Sequence, residues 1–143
     1  MKYEKRKISE LVPYENNPRI NDDAVADVKE SIRQCTYIAP IIVDENNVLL
    51  AGHTRLKALK ELGEKSVMVL VVSDLTEDQK KKFRLYDNKT NEFSKWDAKK
   101  LLEELSGVDF EGYDFGQPEP EIPEANSGPE LQTCPCCGEV FEV

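Results

Sequence analysis

The stretch VLLAGHTRLKALKELG at residues 48–63 constrains the fold of this chain more than any other. An apolar run stops at Gly52, three polar residues follow, and Leu56, Leu59 and Leu62 then recur at helical spacing. The pattern predicts a strand that turns within a few residues into a helix over 55–62. Shortly after it, VMVLVV at 67–72 is a continuous valine-rich run, the signature of a strand covered on both faces. Strand, helix and strand in that order read as a right-handed crossover. Just upstream, PIIVDENNVLLA places two β-rich runs about a polar DENN turn, which reads as a hairpin, and KISELV near the start adds a candidate edge strand. The expected fold class is α/β in the α+β sense: a small mixed sheet with helices packed against it.

Three further helices carry both a start signal and a periodic face. In NDDAVADVKESIRQC, Asn21 or Asp22 can cap, and Val25, Val28, Ile32 and Cys35 fall on one stripe expected to be buried. In LTEDQKKKFRLYDNKTNEF, Thr76 and Gln79 form a capping box, and Phe83, Tyr86 and Phe93 return at helical spacing. Lys80, Lys81, Lys82, Arg84 and Lys89 lie opposite them. In SKWDAKKLLEELSG, Ser94 or Asp97 caps, Ala98, Leu101, Leu102 and Leu105 make the apolar face, and Gly107 supplies a left-handed end.

After Gly107 the character of the chain changes. GQPEPEIPEANSGPE is rich in proline and acid and poor in large apolar residues, the composition of a flexible linker. The expected organisation is a domain over 1–116, an acidic linker over 117–131 and a short cysteine tail over 132–143. With 143 residues, 39% of them hydrophobic, one modest core is expected. Net charge is −9, but residues 1–100 hold 19 Lys and Arg against 17 Asp and Glu, while residues 101–143 hold none against 11. A near-neutral domain thus carries an acidic extension, and local basic patches on the domain remain open to nucleic acid. No run of about 18 apolar residues occurs and the start MKYEKRKISE has no apolar signal segment, so a soluble, cytoplasmic protein without a membrane partner is expected.

The strand-to-helix turn has a chemistry of its own. If residues 48–51 end a strand and a helix follows, Gly52 to Arg55 sit at a helix N-terminus, where unpaired amides and the positive dipole end favour an anion. Gly52 permits close approach, Arg55 can grip phosphate oxygens through two parallel bonds, and His53, the only histidine, can donate or titrate near neutral pH. The plainer reading is a glycine followed by a Thr54 cap, with Arg55 and Lys57 as surface residues. Neither a Walker A pattern nor G-x-G-x-x-G occurs.

Five segments in order, ISELVPYENNPR, SIRQCTYIAPIIV, LLAGHTRLKALKELG, DLTEDQKKKFRLYDNKTNE and WDAKKLLEEL, resemble the ParB/sulfiredoxin superfamily, and in particular the short ParB-like proteins of phages and prophages. The resemblance covers residues 7 to about 106. It implies a sulfiredoxin-like α/β domain that binds nucleotide phosphates at its G-x-x-R turn: CTP in ParB proteins, ATP in sulfiredoxins. In the ParB pattern G-E-R-R-x-R-A, Gly52, Arg55 and Ala58 match, Lys57 replaces an Arg, and His53 and Thr54 take the Glu and first Arg places. Thr36 and Ala39 stand for the Gly and Gln of G-x-x-Q-P. Asp87 and Asn88 match the start of E-N-x-x-R, with Asn91 in place of the Arg. The resemblance implies that Asp87 can hold a divalent ion such as Mg²⁺ beside the phosphates and that Arg19 of NNPR reaches the same pocket. Sulfiredoxin carries G-C-H-R at the turn. Here His53 replaces the nucleophilic cysteine, and Cys35 is expected in the core as an inert thiol, so the reductase reading is set aside.

Two basic or metal-binding features lie elsewhere. Lys80, Lys81, Lys82 and Arg84 form the densest positive cluster, either a solvated face supported by Glu77–Lys81 and Asp78–Lys82 pairs or a DNA-contacting strip. In TCPCCGEVFEV, Cys134 and Cys137 with Gly138 have the spacing of half a zinc ribbon, with Cys136 as a spare ligand. The leading expectation is an NTP-binding domain for CTP or ATP acting in DNA transactions, with DNA, a homodimer partner and a DNA methyltransferase or other DNA-modifying enzyme as candidate partners. The alternatives are an NTPase, phosphotransferase or metal-dependent nuclease drawing on acids such as Asp44, Glu45, Asp74 and Asp87, and an adaptor whose pocket binds nothing.

Overall fold

The computed structural model describes residues 1–18, 20, 22–92, 94–116, 131–133 and 136–142. Residues 1–95 with 110–113 gather into one compact unit, and the other described residues belong to a second.

The first unit is built on a four-stranded mixed sheet of order β1-β4-β2-β3. Its strands are β1 (Lys2–Lys7), β2 (Ile41–Asp44), β3 (Leu49–Ala51) and β4 (Ser66–Val72). The edge strand β1 pairs antiparallel with β4, Lys2 opposite Val71 and Lys7 opposite Ser66. It lies one step earlier than KISELV suggests, because Ile8–Glu10 tighten into a 3₁₀ turn and bury Ile8. The hairpin reading holds: β2 and β3 pair antiparallel, and the Asp44 carboxylate accepts from the amides of Asn46 and Val48 at 2.9 and 3.0 Å to close the turn. Since β2 runs parallel to β4, β3 opposes β4 in direction. The strand that enters the helix is therefore not one of a parallel crossover pair. The parallel connection runs from β2 through the hairpin and the helix to β4.

The valine-rich β4 is covered on one face only. Val67, Val69 and Val71 are buried, whereas Met68 is 47% exposed, so the continuous apolar run does not mark two-sided cover. The buried face packs with Ile41, Val43, Leu49, Leu56 and Leu59 in one core.

Four helices follow the sequence pattern with three departures. Helix α1 (Val25–Cys35) buries Val25, but Cys35 at its end is exposed. The inert core thiol expected there is thus corrected: the stripe turns out of the core over the last turn. Helix α2 (His53–Glu61) begins two residues earlier than predicted and buries Leu56, Ala58 and Leu59.

Helix α3 (Glu77–Glu92) is the larger departure. Its capping box forms as read, Thr76 N–H to Gln79 Oε1 at 2.9 Å and Gln79 N–H to Thr76 Oγ1 at 3.2 Å. Its buried residues, however, are Lys80 and Arg84, while Phe83 and Tyr86 face outward. The third aromatic, Phe93, lies outside the described residues. A polar stripe is buried here because each cation finds partners: the Lys80 ammonium donates to Asp44, Glu45 and Glu77 at 3.0–3.1 Å.

In the second unit, α4 (Ala98–Leu105) starts at Asp97, whose side chain accepts from Lys100 N–H at 3.1 Å, and ends before Gly107 at φ 80°. Leu101 is its buried residue. Strands β5 (Leu131–Thr133) and β6 (Val140–Glu142) form a separate antiparallel pair.

Candidate functional site

The end of β3 and the start of α2 open onto a cavity of about 480 Å³. Gly52 makes the turn with φ 100°, and a Cβ there would stand 3.0 Å from Ile41 Cγ1 and 3.2 Å from its Cα. Any side chain is therefore excluded both by conformation and by β2 behind it. As helix cap Gly52 offers no side-chain acceptor to the first-turn amides, which have none within the helix. The positive end of α2 thus faces the cavity.

Around that turn the fold assembles residues far apart in sequence. Gly52, His53, Thr54 and Arg55 line one wall, and Asp87 and Asn88 line another from α3. Thr36 and Ala39, from the loop that leads into β2, also line it. Arg55 Nη1 donates to Pro40 O at 2.9 Å, so its guanidinium ties that loop to the helix start. Tyr37 reinforces the loop: its hydroxyl donates to Met68 O at 2.9 Å and accepts from Ile41 N–H at 2.6 Å. Burial pushes the Tyr37 phenol up, against the Ile41 amide and Arg55.

His53 is half-buried, and its Nε2 accepts from Tyr14 N–H at 3.1 Å. A ring accepting at Nε2 is neutral and carries its proton on Nδ1. Burial lowers its pKa, and the Arg84 and Lys57 charges lower it further.

Among the described residues the structure brings in groups that the sequence did not assign here and leaves out Lys57, which it did. Arg84 lines the cavity; its Nε donates to Leu49 O at 3.0 Å, and its guanidinium carbon lies 3.7 Å from the Tyr14 ring centre. Arg84 and Lys80 are thus corrected from a DNA-contacting strip to buried positions, 7% and 1% exposed. Lys81 and Lys82 do reach the surface, Lys82 paired with Asp78 at 2.9 Å. Cys35 and Asn17 are further additions. Lys57 is not among the lining residues; its ammonium pairs with Asp22 at 2.5 Å. Arg19 lies outside the described residues, as does Cys134. Cys136 and Cys137 are exposed, and among the described residues no three His, Cys, Asp or Glu side chains group as a metal site. The missed residues had a signal: positions 80, 84, 87, 88 and 91 repeat at helical spacing as regularly as any apolar face.

Thr36 adopts φ 66°, ψ 176°, a region that is essentially glycine's. The resemblance places a glycine at this position, and the backbone explains why.

A sheet end, a helix N-terminus and two guanidiniums around one cavity place this chain in the class of small α/β domains with a cationic cavity at a strand-to-helix turn. The particular family is shown by sequence: the model of the ParB N-terminal domain matches residues 3–89, more than half of the chain, and the chain belongs to that family. It is 40% identical over 78 residues to the ParB-like nuclease domain-containing protein YnaK of Escherichia coli (strain K12), covering 54% of this chain and 90% of that protein. It is 34% identical over 86 residues to the probable chromosome-partitioning protein ParB of Campylobacter jejuni, covering 57% of this chain but only 31% of that one. The fold is that of the C-terminally truncated chromosome-partitioning protein ParB from Caulobacter crescentus complexed with CTP-gamma-S, with a TM-score of 0.60 at 22% identity over 74% of this chain and 61% of that one. No helix among the described residues is long and apolar enough to cross a membrane.

Proposed function

We propose that this chain binds a nucleoside triphosphate, CTP or ATP, through its phosphates in the cavity at the start of α2, and acts through that binding in DNA transactions. The observation that carries the reading is the convergence of Gly52, Arg55, Asp87 and Asn88 on one cavity. The Caulobacter relative's complex with CTP-gamma-S supports a nucleotide as the ligand class. Asp87 is a hard oxygen donor in the cavity lining, which fits a Mg²⁺ carried in with the phosphates and held by few protein ligands. Calorimetric titration with CTP, ATP and GTP plus Mg²⁺, on wild type and Arg55→Ala, tests the reading. Binding that Arg55→Ala weakens is expected; no heat with any nucleotide refutes it.

The name of the YnaK relative keeps a nuclease reading in play. Against it, Asp44, Glu45 and Glu77 converge on Lys80 rather than on the cavity, and of the four acids considered for cleavage only Asp87 lines it. Binding without turnover is therefore the favoured use of the pocket, and phosphate release or DNA nicking assayed with Mg²⁺ separates the two.

For DNA itself, the accessible cations include Lys81 and Lys82 on α3 and a groove where Lys5, Lys7, Lys60 and Lys65 gather. A homodimer and an accessory role beside a DNA-modifying enzyme such as a methyltransferase of phage origin belong to the same proposal. In the tail, Cys136, Cys137 and Gly138 at φ 76° lie between β5 and β6; a zinc held by Cys134 and Cys137, with Cys136 as a spare ligand, would need a second copy to complete its four ligands. Zinc-dependent dimerisation measured by sedimentation tests that part.

A further inference from the structure

We infer that Arg84 is the charge partner of the cavity's ligand: its buried guanidinium is completed by a phosphate group seated between it and the first turn of α2. This rests on the nucleotide reading and sharpens it, naming the residue that makes a negative group obligatory.

Helix α3 buries two cations one turn apart, and their surroundings differ. Lys80 is met by three carboxylates at 3.0–3.1 Å. Arg84 is 7% exposed and, among the described residues, has no carboxylate partner at all. Its contacts are one hydrogen bond from Nε to the Leu49 carbonyl and the face of Tyr14. A guanidinium has five N–H donors, so its two terminal amino groups are left over. No fully enclosed side-chain nitrogen or oxygen of the described residues lacks a partner, so those amino groups have open space before them. The space beside Arg84 is the cavity.

A buried charge without a counter-charge is costly, and proteins retain one where a ligand supplies the opposite sign. The same cavity receives the N-terminus of α2, where Gly52 provides no side-chain cap, so two independent sources of positive potential meet there. Asp87 lines the cavity three residues further along α3 yet forms no ion pair with Arg84. Val28 and Ile32 of α1 add apolar surface to the lining. A volume of about 480 Å³ with both cationic and apolar lining suits a phosphate ester with an organic body better than a bare ion.

The full chain is titrated with CTP, ATP and GTP, and separately with inorganic pyrophosphate, for wild type, Arg84→Met and Arg84→Lys. The second readout is the imidazole proton resonance of His53, the only histidine, whose pKa is lowered first by burial and then by the charge of Arg84. The expected result is at least tenfold weaker binding in Arg84→Met, an intermediate loss in Arg84→Lys, and an upward shift of the His53 titration midpoint in wild type on adding ligand. Arg84→Met that binds within twofold of wild type overturns the inference and leaves the nucleotide reading standing. Binding of pyrophosphate alone, dependent on Arg84, upholds the inference and overturns the nucleotide reading. Should Arg84→Met fail to fold, the wild-type His53 shift decides: a midpoint unmoved by any of the four probes overturns the inference. A purely structural clamp lowers the urea midpoint of the variants without changing affinity or the His53 response, which also overturns it.

Discussion

Replacing Gly52 by alanine tests the feature on which the cavity is built. Two costs add. A residue with a Cβ held at φ 100° loses about 1–2 kcal/mol relative to glycine. The new Cβ also stands 3.0 Å from Ile41 Cγ1 and 3.2 Å from Ile41 Cα, and a backbone atom of a central strand cannot step aside as a flexible side chain can. Overpacking of this kind adds about 1–3 kcal/mol. The sum is about 2–5 kcal/mol, a large part of the stability of a domain of this size. Gly63 is the internal control, for it has φ 77° but nothing within 4 Å of its would-be Cβ; Gly63→Ala should cost only about 1–2 kcal/mol. In urea unfolding with a slope of about 1.5 kcal/mol/M, the midpoint should fall by about 0.7–1.3 M for Gly63→Ala and by about 1.3–3.3 M for Gly52→Ala. The Cβ at 52 also lies 3.3 Å from Arg55 Nε, so ligand affinity should fall with it. Equal midpoint shifts in the two variants would refute the argument that Ile41 excludes a side chain at the turn.

Three other perturbations follow from the same contacts. Thr36→Gly relieves a left-handed, glycine-like backbone and should stabilise the domain by about 1 kcal/mol, read as a raised urea midpoint; a lowered midpoint would deny the strain. Lys80→Met leaves Asp44 buried beside Glu45 and Glu77 and should cost about 3 kcal/mol, toward the low end for a broken buried pair because those two glutamates keep solvent contact; thermal unfolding within a degree of wild type would contradict it. His53 has a lowered pKa in the fold, so the unfolded chain takes up its proton first, and stability present above about pH 6.5 should be lost as pH falls through the folded value. His53→Gln should flatten the stability profile just below about pH 6.5, and an unchanged slope would show that the imidazole is not the group responsible.

What the residues determined alone is local. The Gly52 turn, the hairpin closed by Asp44, the Thr76–Gln79 capping box and the Asp97 cap each depend on a few neighbouring residues whose side chains and backbone choose one geometry. The five ordered motifs also identified the family. Tertiary structure decided which face of each element is inside. Phe83 and Tyr86 looked like a core stripe and the lysines like a solvated one, because periodicity reports that a helix has two faces without naming the buried one. Asp44 and Glu45, some 35 residues away from Lys80, reversed that choice by neutralising its ammonium in the interior. Cys35 escaped the core for a similar reason, since α1 ends where the cavity begins. The partnership of Arg84 with the Gly52 turn joins residues 32 positions apart across the end of the sheet, and only the packing of α3 against β3 could create it.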